Sequence, residues 1–266
     1  MLDSEFFRFE SGQLVACMDS VSEIRLAVAD SWLVEDGRAR NIDAHFERFA
    51  GWVQAQAVGV SQQLLPFFSS VRAAIPRTGR WFPRMELHLE GSNGVAQTGS
   101  LYLRLRTAPD QLGGITLWTL DEPDPRILPT IKGPDLSLCM QLRRKAQLHG
   151  ADEAVLLDQD GYISEGALSA IVWWRGDTLC APGSETPWLD SITRREVFSI
   201  AESLGFQTRT EKVRPADLVD LEVWALSSLQ GIRPVTEWIG LGSPVGAATH
   251  SDNFQRRLRM LASVID

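Results

Sequence analysis

Lysine is scarce in this 266-residue sequence, whose 26 basic residues comprise 23 arginines and only three lysines. Cysteine is also rare: Cys17, Cys139 and Cys180 are odd in number and far apart, which indicates reduced thiols. No apolar run approaches the roughly 18 residues of a membrane span, and the N-terminus lacks the pattern of a signal peptide. The sequence therefore predicts a cytoplasmic protein without a membrane anchor.

The motifs of several common enzyme classes are missing. There is no GxGxxG after a strand, no P-loop, no GxSxG nucleophile elbow and no HExxH zinc motif. The four histidines show no metal-ligand spacing, so no metal site is predicted. A net charge of −8 argues against a nucleic-acid-binding protein that depends on a basic face. With 44% hydrophobic and 23% charged residues, the composition is that of an ordinary globular protein.

The hydrophobic pattern alternates between helical and strand periods, which predicts a mixed α/β (α+β) chain. The stretch 121–129 carries three prolines and three acidic residues, so it predicts a domain boundary. We therefore expect an N-terminal α/β domain over 1–121 and a C-terminal domain over 122–266. Predicted helices are 43–59, capped by Asp43, 135–149, capped by Asp135, 191–205, capped by Ser191, and one from about 252; strands 85–89 and 101–105 are predicted to form a hairpin through the turn 91–99.

The three lysines raise the question of what arginine could not do at their positions. An ammonium group can lose its proton and act as a nucleophile, whereas a guanidinium effectively cannot. Lys145 and Lys212 lie in charged segments typical of a solvated surface. Lys132 follows an apolar stretch and precedes Gly-Pro-Asp. It is either a surface loop lysine or an amine whose pKa is lowered by apolar surroundings so that it can form a Schiff base.

Two further positions have both an ordinary and a chemical interpretation. Glu165 stands at a strand end, where it is either an exposed turn residue or a carboxylate that faces a pyridinium nitrogen. Ser191, Ile192 and Thr193 open a helix. Ser191 is either a simple N-cap or part of a site where the free helix amides bind an anion such as phosphate.

In their order along the chain, these residues resemble the fold-type IV pyridoxal-phosphate enzymes, the class IV aminotransferases. That family includes branched-chain aminotransferases, D-amino-acid transaminases and 4-amino-4-deoxychorismate lyase. The resemblance covers about residues 23–240 and is strongest over 150–166, 191–195 and 231–235. The family's usual N-terminal Asp-Arg-Gly-x-x-Tyr-Gly-Asp-Gly stretch is replaced by 22–31. The resemblance implies two domains, a smaller N-terminal one and a larger C-terminal one.

The resemblance also implies a cofactor, pyridoxal 5′-phosphate, and the residues that bind it. Lys132 matches the lysine that carries the cofactor as a Schiff base. Glu165 matches the glutamate on the pyridine nitrogen. The residues that match phosphate ligands are Arg48 of a His-x-x-Arg motif, Ile192 and Thr193 at the helix start, and Ser228.

The function that the resemblance implies is an aminotransferase acting on an amino acid or a related primary amine through Lys132. One alternative is a 4-amino-4-deoxychorismate lyase that releases pyruvate, and another is a non-catalytic member that uses the fold for binding. Small-molecule amines and keto acids are the expected partners, with no nucleic acid and no membrane. The family also implies a homodimer.

The strand 101–106 offers a hypothesis for substrate recognition. Its period of two places Tyr102, Arg104 and Arg106 on one face. In related enzymes the corresponding hairpin lines the substrate side of the cofactor, so Arg104 and Arg106 are candidates for binding a substrate carboxylate. The alternative is that both arginines solvate the outer face of an antiparallel strand.

Overall fold

The computed structural model describes residues 4–18, 25–90 and 98–266, apart from the side chains of 58 and 98. The strands, in chain order, are β1 (Ser4–Glu10), β2 (Gln13–Ala16), β3 (Arg25–Ser31), β4 (Val34–Glu35), β5 (Arg38–Arg40), β6 (Arg80–Trp81), β7 (Arg84–Glu90), β8 (Thr98–Arg106), β9 (Ile115–Thr119), β10 (Glu153–Leu157), β11 (Ile163–Gly166), β12 (Ala170–Arg175), β13 (Thr178–Pro182), β14 (Gln207–Glu211), β15 (Val223–Ser227), β16 (Gly231–Ile239) and β17 (Ala262–Val264). The α-helices are α1 (Ile42–Gln56), α2 (Leu64–Ala74), α3 (Leu136–Leu148), α4 (Ile192–Ser203) and α5 (Ser251–Met260), and short 3₁₀ helices cover Val58–Gln63 and Pro215–Leu218.

The chain divides into two compact units. The first consists of 1–110, 131–134 and 261–266. Within its described part, one sheet has the order β2-β1-β8-β7-β3 and a smaller one the order β17-β5-β4-β6. The larger sheet is antiparallel throughout, and the apolar side of its strands packs with α1 and α2 in a single hydrophobic core.

The second unit consists of 111–130 and 135–260. It contains a mixed sheet of eight strands in the order β11-β10-β9-β16-β15-β12-β13-β14. The pairs β9–β10, β9–β16 and β13–β14 are parallel. One side of this sheet packs with α4 and α5 in an apolar cluster that includes Trp174, Val197 and Phe254.

The structure confirms the mixed α/β class and the predicted helices, but it corrects one predicted cap, Asp43, and shows that a second, Asp135, makes no capping bond. The first helix begins at Ile42 and its N-cap is Asn41, whose φ of 44° is left-handed, so the prediction of Asp43 as the cap was wrong. Asp135 stands at the N-cap of α3 but makes no capping bond, because its Oδ2 accepts from the backbone N–H groups of residues 127 and 128. Ser191 caps α4 as predicted.

The structure leaves other predictions untested. The turn 91–99 lies mostly outside the described residues, although β7 and β8 pair on either side of it. The domain boundary between 121 and 122 stays a prediction, and the compact units divide at other positions. No α-helix in the described ranges is long and apolar enough to cross a membrane.

Glu153 in β10 provides a test of how the second unit is held together. The side chain is buried, and burial raises its pKa from 4.5 to about 7, although bonds from Ser169 and from two backbone N–H groups favour the charged form. A carboxyl whose pKa is raised by folding stabilises the fold fully below its unfolded pKa, and this contribution is lost as the pH rises through the folded pKa.

We therefore expect the free energy of unfolding to fall by up to about 3 kcal/mol between pH 4.5 and 7.5 on account of Glu153. In Glu153→Gln this fall should disappear, whatever the absolute stability of the variant. Urea unfolding at a series of pH values measures the slope, with Asp177→Asn in an exposed turn as the control. An identical slope in Glu153→Gln and the unmodified protein would contradict the expectation.

Candidate active site

The loop that carries Lys132 lies directly on strand β3 of the first unit. The Ala29 amide donates a hydrogen bond to the Lys132 carbonyl oxygen at 2.6 Å. Gly133 has a φ of +140°, and a Cβ at this position would lie 2.9 Å from the Ala29 nitrogen and from Val28 Cα. Glycine is needed here because only a residue without a side chain permits this close approach and this φ. The Lys132 side chain is half-buried.

Asp30, the next residue of β3, is hydrogen-bonded to Arg48. Asp30 is almost fully buried, and Arg48 donates to both of its oxygens, with Nε 2.7 Å from Oδ2 and Nη2 2.8 Å from Oδ1. His45 Nδ1 lies 2.7 Å from Oδ1. Burial alone would raise the pKa of Asp30, but Arg48 and His45 hold it well below its ordinary value. β3 therefore brings the Lys132 loop close to an arginine whose guanidinium is oriented by a buried carboxylate.

In the second unit, Glu165 is 5% exposed on β11. Two groups donate to its Oε1: the backbone N–H of Leu189 at 2.9 Å and Nη1 of Arg126 at 2.7 Å. Burial raises the pKa of this carboxyl, and the contact with Arg126 acts in the opposite direction. The alternative of an exposed turn glutamate is wrong.

The start of α4 follows closely after Leu189. Ser191 Oγ accepts from the Arg194 amide at 3.2 Å, and the Ser191 carbonyl accepts from the Arg195 amide. The amides of Ile192 and Thr193 lie in the first turn, where a helix supplies no partners for them. Partial positive charge gathers there, so this helix end can bind an anion. The Leu189–Glu165 bond therefore joins a buried carboxylate to the segment that leads into α4 within one unit.

Ser228 lies in the turn between β15 and β16, where the Gln230 amide donates to Ser227 Oγ at 3.1 Å. The strands on both sides contribute Leu226 and Ile232 to the apolar cluster that holds α4. This turn is thus fixed to the same sheet as α4, and Ser228 is half-buried in it.

The face of β7 and β8 that bears Arg104 is not a solvated surface. Leu101 and Leu103 turn into the core, and Arg104 on the other side is 14% exposed at its side chain. Its Nε lies 3.1 Å from Oε1 of Glu86, a buried glutamate that also contacts Arg84 and His88. Burial would raise the pKa of Glu86, but these contacts lower it to about 2. Arg104 is therefore held by an ionised carboxylate.

Arg106, two residues further on, differs from Arg104 in its hydrogen bonds. Its Nε donates to the Phe82 carbonyl oxygen at 3.2 Å, and its guanidinium lies 4.8 Å from the centre of the Phe82 ring. Its Nη2 is buried without a hydrogen-bond partner among the described residues. Burial, followed by repulsion from Arg84, lowers the pKa of Arg106 to about 10. Such a buried donor favours an anionic ligand.

Three residues that contact the candidate site residues were not identified from the sequence: Asp30, Glu86 and Arg126. Asp30 could have been noticed as a charge among the apolar residues of β3, because an acid there needs a buried partner. Nothing in the sequence around Glu86 or Arg126 distinguishes them from surface charges. Their roles depend on partners up to 39 residues away.

Comparison with solved structures defines the fold. A branched-chain amino acid aminotransferase from Escherichia coli matches 97% of this chain and 94% of its own with a TM-score of 0.81 at 18% identity. A hypothetical aminotransferase from Mycobacterium tuberculosis in its PLP-bound form matches 97% and 98% with a TM-score of 0.76 at 19% identity. At these identities the likeness concerns the fold alone, which is that of the fold-type IV aminotransferases.

Comparison of sequences defines the family. The family model for amino-transferase class IV matches residues 27–238, so this chain belongs to that family of enzymes. A bifunctional aminodeoxychorismate lyase / D-amino acid transaminase from Mycobacterium tuberculosis is 25% identical over 86% of both chains. An aminodeoxychorismate lyase from Bacillus subtilis is 32% identical over 100 residues, which span 36% of this chain and 34% of the lyase.

Proposed function

We propose that this chain is an aminotransferase that moves an amino group between an amino acid, or a related primary amine, and a keto acid. Pyridoxal phosphate is its cofactor, and it supplies an electron sink for the bonds at the substrate's amino-bearing carbon. The observation that carries the proposal is the Leu189–Glu165 bond, which joins a carboxylate and an anion-binding helix end. A cofactor with a basic ring nitrogen and a phosphate requires both groups.

The residues present fit this cofactor. Glu165 can accept a hydrogen bond from the ring nitrogen through Oε2, since Arg126 and the Leu189 amide both donate to Oε1. The Ile192 and Thr193 amides and the Ser228 hydroxyl suit the phosphate. We assign the charge-assisted bond to the phosphate to Arg48, which Asp30 holds in one orientation.

The remaining chemistry is assigned to Lys132 and to the arginines of β8. Lys132 would hold the cofactor covalently through Nζ and, through the same atom, would move a proton at the substrate's amino-bearing carbon. Glu165 holds the proton on the ring nitrogen. Arg104 and Arg106 bind the substrate carboxylate. We further propose that the protein is a cytoplasmic homodimer, a location in keeping with its low cysteine content.

A lyase is the second candidate, because proteins named as aminodeoxychorismate lyases are among the curated relatives. The same proton abstraction by Lys132 would begin a reaction in which 4-amino-4-deoxychorismate loses pyruvate. The residues assigned to the cofactor would keep their roles. The two functions therefore differ in the substrate and in what leaves it: the amino group in the aminotransferase, and pyruvate in the lyase.

One assay distinguishes the two functions. The purified holoenzyme is incubated with a panel of amino donors and 2-oxoglutarate, and separately with 4-amino-4-deoxychorismate alone. We expect visible absorbance from the bound cofactor and amino exchange that depends on the keto acid. Pyruvate released from 4-amino-4-deoxychorismate, without amino exchange, would assign the lyase instead. A protein that binds no cofactor and turns over neither substrate would contradict both and leave a binding function.

A further inference from the structure

Arg126, in the segment between β9 and α3, is bonded to two carboxylates. Its side chain is only 5% exposed. Nε lies 3.0 Å from both oxygens of Asp124, and Nη2 lies 2.7 Å from Oδ2. On the other edge of the guanidinium, Nη1 donates to Glu165 Oε1 at 2.7 Å. One planar group therefore links the two acids and fixes the directions of its bonds to both.

This link determines which oxygen of Glu165 can serve a ligand. Oε1 accepts from Arg126 and from the Leu189 amide. Within the described residues no other group donates to this carboxylate, so Oε2 is the oxygen that can accept from a ring nitrogen. Without Arg126, the Leu189 amide alone would orient the side chain.

Three charged groups act on Glu165. Arg126 touches it, and the negative charge of Asp124, paired with the same guanidinium, opposes the effect of Arg126 on Glu165. Arg194 interacts with Glu165 electrostatically without bonding to it. The Arg194 guanidinium donates instead to the Pro182 carbonyl oxygen at 2.9 Å and lies 3.9 Å from the centre of the Trp188 ring. The affinity of the Glu165 carboxylate for a proton therefore depends on the balance between the positive charge of Arg126 and the negative charge of Asp124.

We propose that Arg126, held by Asp124, is a positioning residue for the cofactor ring: it aims Glu165 Oε2 at the ring nitrogen and sets how firmly that nitrogen holds its proton. The inference rests on the proposed role of Glu165. It assigns to the Asp124–Arg126 pair a function in tuning the cofactor in addition to its structural bonds.

Variants of the pair have effects of opposite sign. Arg126→Gln removes a positive charge near the ring nitrogen, so the proton should be lost at a pH about one unit higher. Asp124→Asn removes a negative charge, so the proton should be lost about one unit lower. Arg126→Lys keeps the charge but not the planar fork, so the pH of proton loss should stay near that of the unmodified protein. Both Arg126 variants should bind the cofactor roughly ten- to a hundredfold more weakly, because Glu165 is no longer aimed.

The measurement uses the holoenzyme loaded with pyridoxal phosphate that carries ¹⁵N in the ring. The ¹⁵N chemical shift, followed from pH 5 to 10, reports the protonation of that nitrogen, and equilibrium dialysis gives the cofactor dissociation constant. The control is Arg175→Gln, which breaks the Arg175–Glu211 pair in the same unit and should change neither quantity. Shifts of the same sign in Arg126→Gln and Asp124→Asn, or no shift in either, would overturn the proposal.

Glu165→Gln separates this proposal from the one on which it rests. If Glu165 serves the ring nitrogen, that variant should lower the pH of proton loss whatever Arg126 does. A shift in Glu165→Gln with none in the Arg126 and Asp124 variants would overturn only the inference about Arg126. An unchanged ¹⁵N titration in Glu165→Gln would instead contradict the assignment of Glu165. Should Arg126→Gln not fold, Asp124→Asn and Arg126→Lys decide the matter.

Discussion

Lys132→Ala is expected to abolish turnover and the visible absorbance of the bound cofactor while the protein remains folded. The physical reason is that alanine has neither a nucleophile for the Schiff base nor a base for the proton transfer. The loop should keep its place, because it is held through backbone atoms: the Ala29 amide binds the Lys132 carbonyl, and Gly133 packs against Val28. Absorbance, turnover and far-UV circular dichroism of the variant measure these three expectations.

The other two lysines supply the controls. Lys145 Nζ lies 3.2 Å from Glu122, and Lys212 Nζ lies 3.6 Å from Asp158, so each is an ion-paired ammonium at a partly exposed position. Lys145→Ala and Lys212→Ala should keep the absorbance and the activity. Borohydride reduction of the holoenzyme, followed by peptide mass mapping, should place the cofactor on Lys132. A cofactor found on Lys145 or Lys212 would contradict the assignment of Lys132 as the Schiff-base lysine.

The arrangement of helices and strands was largely readable because hydrophobic periodicity reports which face of each element is buried. Ser191 is an example: a hydroxyl before an apolar helical pattern predicts a cap, and the cap forms. The failures concern competition between local and distant partners. Asp135 has the right position to cap α3, but its oxygen binds backbone N–H groups at 127 and 128 instead. Helix α2 was not predicted, since its pattern is short and contains Pro66; the helix forms because proline is tolerated in a first turn, where a backbone N–H has no partner within the helix.

The candidate site was readable only for residues that resemble family motifs. Glu165 and Ser191 could be singled out from the sequence, yet the bond that runs from the Leu189 amide to Glu165 depends on how β11 and the start of α4 meet in three dimensions. Asp30 was noticeable as a charge in an apolar strand, but its pairing with Arg48 across 18 residues was not. Long-range ion pairs leave no periodic signal, so the pairings that orient the site residues appear only in the structure.

The second large effect is expected at Arg106 and concerns substrates that carry a carboxylate. Arg104 is bonded to the ionised Glu86, so part of its hydrogen-bonding capacity is used within the protein. Arg106 Nη2 is buried without a partner in the described part of the chain, and Nε alone is bonded, to the Phe82 carbonyl. A buried cationic donor without a partner binds a carboxylate favourably, since a hydrogen bond between charged groups contributes about 1.5–3 kcal/mol to the free energy of binding.

Arg106→Gln should therefore raise KM for amino-acid substrates by roughly a hundredfold, while the cofactor dissociation constant and the activity toward an amine without a carboxylate barely change. Steady-state kinetics with a matched pair of substrates, an amino acid and its decarboxylated amine, measure the difference. Arg8→Gln, whose arginine is bonded to Ser100 nearby, is the control and should affect neither substrate. Arg104→Gln should raise KM as well, but with a loss of stability, because Glu86 would lose one of its partners. Equal losses on both substrates in Arg106→Gln would show that Arg106 acts on the fold of the strand and that the substrate carboxylate is bound elsewhere.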